Sequence, residues 1–118
     1  MEIITHESGN DRVAEVVADQ IIIQNAEDGL ALLGDLYYQN FDKIIVHSKN
    51  ITPLFFDLSN GLAGEILQKF SNYRVKLAIV GNFGELSSKS LRDFIYESNQ
   101  GKTVNFVSSA AEALEKKE

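Results

Sequence analysis

Apolar positions in this chain keep two rhythms, a period of two and a period near 3.6, and the rhythms alternate along its length. Residues 2–6 carry Ile3, Ile4 and Thr5, and residues 12–18 carry Val13, Val16 and Val17. β-Branched runs of this length predict strands. Ser8, Gly9 and Asn10 lie between them, and Gly and Asn tolerate positive φ, so the pair reads as an antiparallel hairpin. Asp19 and Gln20 break the pattern, and Ile21, Ile22 and Ile23 form a short extended piece. The spacing of Ala26, Leu30, Leu33, Gly34 and Tyr37 then predicts a helix over 26–39. Asn25 is its N-cap, and Glu27 and Asp28 sit at the positive end of its dipole. Residues 43–47, KIIVH, form a short apolar strand.

The stretch 50–70, NITPLFFDLSNGLAGEILQKF, runs from that strand into a second helix. Pro53 suits a first helical position with Thr52 as its cap, which predicts one short turn over 54–58. The second helix begins near Ser59 or Asn60, buries Leu62, Ala63, Ile66, Leu67 and Phe70, and ends at Asn72. Residues 75–80 form a strand apolar enough to be central, and 81–84 a loop. Ser87 or Ser88 caps a third helix with the stripe Leu91, Phe94, Ile95 and Ser98, stopped at Gln100 and Gly101. Residues 103–107 form the last strand. Ser109 and Glu112 make a capping box that opens a final helix over 110–117. This order predicts an α/β domain with right-handed crossovers and a five-stranded, mainly parallel sheet, mixed because of the hairpin, with four helices. The helices are expected to cover its two faces unequally.

Composition narrows the class. The chain has 118 residues, which points to one domain over 1–118, and 44% of them are hydrophobic, enough for a core without staples. It has no cysteine, hence no disulfide framework, thiolate metal site or cysteine nucleophile. No apolar run approaches the roughly 20 residues that span a bilayer. The first ten residues lack the basic and apolar parts of a signal peptide. A cytoplasmic protein with no membrane contact is expected. The net charge is -6, from 17 acidic and 11 basic residues. The basic residues are scattered, with one dense group at Lys116 and Lys117, so nucleic-acid binding is disfavoured.

Two loops carry candidate chemistry. The first holds Asp57, Ser59, Asn60, Gly61 and Gly64 where a strand hands over to a helix, the place where α/β folds put working groups. Ser59 reads either as an N-cap or as a modifiable hydroxyl. Phosphorylation would add about -1.5 to -2 charge, favoured by the helix N-terminus and opposed by Asp57. Asp57 reads as a cap or as a partner contact, and Gly61 and Gly64 as sites of close helix approach. An exposed Phe55 or Phe83 would mark a contact patch. The second loop lies in 81–92, GNFGELSSKSLR, where Gly81, Asn82, Gly84, Ser88 and Lys89 form a candidate anion or ligand loop. It matches neither a P-loop nor a dinucleotide fingerprint. The alternative there is a loop with serine caps and a solvated Lys89–Asp93 pair. The two histidines, His6 and His47, are far apart in sequence, and without a third ligand at fixed spacing they make a weak metal case. No Gly-x-Ser-x-Gly elbow is present. A non-enzymatic domain without cofactor or metal is therefore expected.

Two segments carry a family resemblance. Phe56-Asp57-Leu58-Ser59-Asn60-Gly61-Leu62 resembles the signature of STAS domains: an aromatic or aliphatic residue, then Asp, then Ser-Ser/Thr-Gly-Leu. The match has an extra residue, because Leu58 separates Asp57 from Ser59 and Asn60 separates Ser59 from Gly61. Residues 106–114, FVSSAAEAL, resemble the closing strand and helix of the same fold. STAS domains include bacterial anti-sigma-factor antagonists and the cytoplasmic ends of sulfate transporters. The full sequence is most similar to a small bacterial family of unknown function with that fold. In the antagonists a partner kinase phosphorylates the signature serine, whose positional match here is Ser59. The resemblance implies a regulatory domain that binds a protein such as an anti-sigma factor or kinase, with a contact surface over 50–64 including Phe55, Asp57, Ser59, Asn60 and Gly61. The alternative it implies is a small-ligand domain, for a nucleotide or lipid, with its pocket between the second and third helices and the sheet.

Overall fold

The opening hairpin closes at Gly9, whose φ of 62° is the glycine-first geometry of a two-residue turn. The computed structural model describes residues 1–84 and 88–115. In chain order its elements are β1 (Glu2–Ser8), β2 (Asp11–Val17), α1 (Ala26–Tyr38), β3 (Lys43–His47), α2 (Leu62–Tyr73), β4 (Lys76–Val80), α3 (Lys89–Gln100), β5 (Val104–Val107) and α4 (Ala110–Leu114). Short 3-10 turns at Ser48–Asn50, Pro53–Phe56 and Leu58–Asn60 connect β3 to α2. The five strands lie side by side in sequence order. β1 and β2 are antiparallel, and β2 through β5 are parallel. The fold is therefore α/β with a mixed sheet and four helices, consistent with a STAS-like topology.

Sequential strand order decides where the helices go. Each crossover from β2 to β5 steps in one direction, so crossovers of one hand lay α1, α2 and α3 on one face. Their buried side chains, among them Leu33, Leu36, Ile66, Phe70, Leu91 and Ile95, form one core with Ala14, Val16, Ile44, Val46, Leu77, Ile79 and Phe106. The alternate strand residues Val13, Ile45, Ala78, Val80 and Val107 face the other way, and there Ala113 and Leu114 of the short α4 pack on them. The expected uneven covering follows from this arrangement.

Local details depart from the periodicity in places. Helix α1 buries Gly29, Leu32, Leu33 and Leu36, so its inward face is rotated from the expected stripe, and Leu30 and Tyr37 are exposed. Gly29 is where close approach matters: a Cβ there would sit 3.2 Å from Ile66 of α2. Helix α2 starts at Leu62 rather than at Ser59 or Asn60, because the 3-10 turn at Leu58–Asn60 comes first. It ends at Tyr73, with Arg74 left-handed at the C-cap. The expected extent of the last helix beyond Glu115, and the basic pair Lys116 and Lys117, lie outside the described residues. Asn50 is the main buried polar group, 1% exposed. Its Nδ2 donates to the carbonyls of Ala18 and Gln20 at 2.9 and 2.8 Å. Its own carbonyl accepts from Ile22 and Ile23 N–H groups. One side chain and its backbone thus pin the irregular stretch after β2 to the end of β3.

Candidate functional site

The turn between β3 and α2 is built by three successive side-chain caps. Thr52 Oγ1 accepts from Leu54 N–H, with Pro53 in the first helical position. Asp57 then caps the next 3-10 turn: its Oδ1 accepts from Ser59 N–H at 3.2 Å and from the Ser59 hydroxyl at 2.7 Å. Asn60 Oδ1 accepts from Leu62 N–H at 2.9 Å, while its Nδ2 donates to Leu54 O at 2.8 Å. Asn60 therefore serves the start of α2, and Ser59 is not its N-cap; Gly61 occupies that position at φ 79°. Asp57, Ser59, Asn60 and Gly61 are all exposed. Hydrogen bonds from the Ser59 hydroxyl, then from its backbone N–H, hold the Asp57 carboxyl below the usual carboxylate range.

Three expectations are corrected here. Phe55, expected on the contact surface, is buried, 2% exposed, with its ring edge-on to Phe56. Exposed apolar groups of this turn are Pro53 and Leu54. Gly61 and Gly64, expected as points of close approach, are not: a Cβ at either would meet open space. What Gly61 supplies is its positive φ; nothing in the structure requires glycine at 64.

The second loop follows β4, beside the first. A Cβ on Gly81 would fall 2.5 Å from Ser48 Oγ and 2.8 Å from Phe83, so glycine is what lets these two loops touch. Phe83, half-buried, packs on Phe56 and Phe106. Asn82 turns its Oδ1 toward Gly84 N–H at 3.4 Å. Ser88 caps α3 through Leu91 N–H, and Lys89 pairs with Asp93 at 2.7 Å; Ser87, the other expected cap, lies outside the described residues. The five residues expected to form one anion loop therefore divide. Asn82 joins Ser48, Ile51, Phe56, Phe83 and Leu91 around a groove of about 260 Å³. Ser88 and Ser90 join Asp57 and Ser59 around a larger one of about 480 Å³. Phe56 is the wall common to both. Both grooves lie beyond the carboxyl ends of parallel strands, where open α/β sheets bind ligands.

A cluster on the opposite face was not visible from sequence spacing. His6 Nε2 and His47 Nε2 approach the two oxygens of Glu15 at 2.9 and 3.0 Å. Glu15 lies on β2 between the two histidine strands, pointing to the face that α4 covers only in part. A carboxylate only accepts, so each histidine carries its proton on Nε2. Burial raises the Glu15 pKa most strongly of any single influence, but the hydrogen bonds and charges of His6 and His47 together outweigh it, and the net shift is downward. The signal that could have found this cluster is the hairpin register, which sets His6 diagonal to Glu15. No group of three or more His, Cys, Asp or Glu among the described residues has a metal-holding geometry. No helix among them is long and apolar enough to cross a membrane.

A family model described as Domain of unknown function (DUF4180) matches residues 8–116, and the chain belongs to that family. No curated protein and no solved structure matches the chain significantly.

Proposed function

We propose that this chain is a non-enzymatic regulatory domain of STAS-like type that binds another protein through the turn between β3 and α2. The observation that carries the reading is the exposed pair at its tip: a serine hydroxyl 2.7 Å from a carboxylate, on a turn with an outward leucine. Phosphorylation of Ser59 would replace the hydroxyl donor that now satisfies Asp57 with a group of about -1.5 to -2 charge beside that carboxylate. The attraction between the two side chains becomes repulsion, the Ser59 hydroxyl bond to Asp57 is lost, and the surface around Leu54 changes charge. A partner matched to one state is mismatched to the other, because an interface loses affinity steeply when like charges face each other. Capture of partners with wild-type protein and with Ser59→Asp tests this. The expected result is a protein retained by one form and released by the other. Retention of nothing by either, or of the same protein equally by both, contradicts it.

The apolar groove walled by Phe56, Phe83 and Leu91 favours a second reading, a small nucleotide- or lipid-binding domain. A thermal-shift screen with nucleotides and fatty acids separates the two. A ligand held in that groove raises the melting temperature with the logarithm of its concentration above its Kd, and no shift counts against this reading.

A further inference from the structure

We propose that the outer edge of β1 is a self-association surface, on which a second copy of this chain lays its own β1 antiparallel so that the two sheets become one. β1 ends the sheet: among the described residues it pairs with β2 alone. Arg12 shows which of its backbone groups are left open. The Arg12 N–H donates to the Asp42 carboxylate and its C=O accepts from the Asp42 N–H, so both turn away from β1. Glu7, opposite Arg12, is therefore in a non-hydrogen-bonded pair. Antiparallel pairs alternate, so Thr5 opposite Ala14 and Ile3 opposite Val16 are of the same kind. The N–H and C=O groups of Ile3, Thr5 and Glu7 thus point out of the sheet edge.

Native edges are often blunted by short length, lysine, proline or a bulge. β1 carries none of these: it is seven residues, EIITHES, in unbroken register with β2. Its sequence selects a second copy as the occupant, because it complements itself in one register. With the two-fold axis at Ile4, Ile3 and Thr5 of the two copies exchange their outward N–H···O=C bonds. Ile4 then meets Ile4, and each Glu2 lies opposite the other copy's His6, an acid facing a base. Ile4 is 38% exposed, on the face that α4 covers only in part, and this pairing covers it. It also prolongs an existing row, because His6 is already joined through Glu15 to His47. The neighbouring registers are poorer. An axis at Thr5 sets Ile3 against Glu7, and an axis at Ile3 sets Glu2 against Ile4.

Sedimentation of the full chain at several concentrations tests the surface. A monomer–dimer equilibrium is expected. Ile4→Lys sets two ammonium groups face to face and should weaken the dimer about tenfold or more. Thr5→Pro removes an outward N–H that the β1–β2 ladder does not use, and should do the same. The chain has no cysteine, so the register can be read with introduced ones. Across a non-hydrogen-bonded pair the Cα atoms stand about 4.5 Å apart, within disulfide reach. Ile4→Cys should therefore give a covalent dimer on mild oxidation. Thr5→Cys, whose counterpart is displaced by two residues, should not. A monomer at every concentration, as when the edge serves a strand of another protein, overturns the proposal. So does a dimer that both Ile4→Lys and Thr5→Pro leave unchanged, or equal cross-linking from positions 4 and 5. If Ile4→Lys or Thr5→Pro fails to fold, the two cysteine variants still decide the question.

Discussion

Glu15 joins three strands through side chains alone, with His6 on one side and His47 on the other. Because its pKa is lower in the folded chain, its contribution to stability is present in full above the ordinary glutamate value of about 4.3. That contribution is lost as pH falls from there through the folded value. Glu15→Gln should therefore lower stability at neutral pH, by about 1 kcal/mol given partial access to water. It should also flatten the acid limb of a stability-versus-pH curve measured by urea unfolding. An acid limb as steep as that of wild type would contradict the assignment. Asn50→Ala leaves the carbonyls of Ala18 and Gln20 without their donor and should cost about 2 to 3 kcal/mol in the same measurement. At this scale, what the sequence made legible were the local devices. Asn25, Thr52, Ser88 and Ser109 each cap as their neighbours predict, since a cap needs only residues two or three positions away. Glu15 with its histidines and buried Asn50 depend on strand register and on chain returning from 30 residues away, which no local pattern encodes.

Among the elements, the strands followed the sequence pattern more closely than the helix faces did. KIIVH forms β3 over the expected residues because a short β-branched run between turn signals has few alternatives. In α1 the apolar residues are dense enough to support two adjacent stripes, and the fit of Gly29 against Ile66 selects the one that excludes Leu30. The start of α2 was displaced because Asp57 and Asn60 each offer a competing local hydrogen bond, which stabilises a 3-10 turn where a helix could otherwise begin. The contact between the two front loops rests on Gly81. Gly81→Ala should destabilise the protein by about 1 to 3 kcal/mol through displacement of Ser48 and Phe83. Thermal unfolding measures the loss, and a neutral result would mean that these side chains move aside freely.

On the scale of the whole molecule, the sheet separates two rims of different chemistry. Loops after β3 and β4 bring Asp57, Ser59 and Ser88 to one rim, and the starts of the same strands bring Lys43 and Lys76 to the other. The class of fold was legible because alternation of strand and helix, joined to the handedness of crossovers, leaves few arrangements. The meeting of two loops about 30 residues apart at Phe56 was not, since it depends on β3 and β4 being neighbours. The regulatory reading makes a direct demand on the rim: a partner must touch the turn that carries Ser59. A photo-crosslinking residue placed at Leu54 in the protein expressed in its own host, with one at exposed Tyr38 as the control, measures that contact. The account predicts one adduct from position 54 that is lost when Ser59→Asp is introduced. Adducts from position 38 alone, or an adduct from position 54 indifferent to Ser59→Asp, would contradict it.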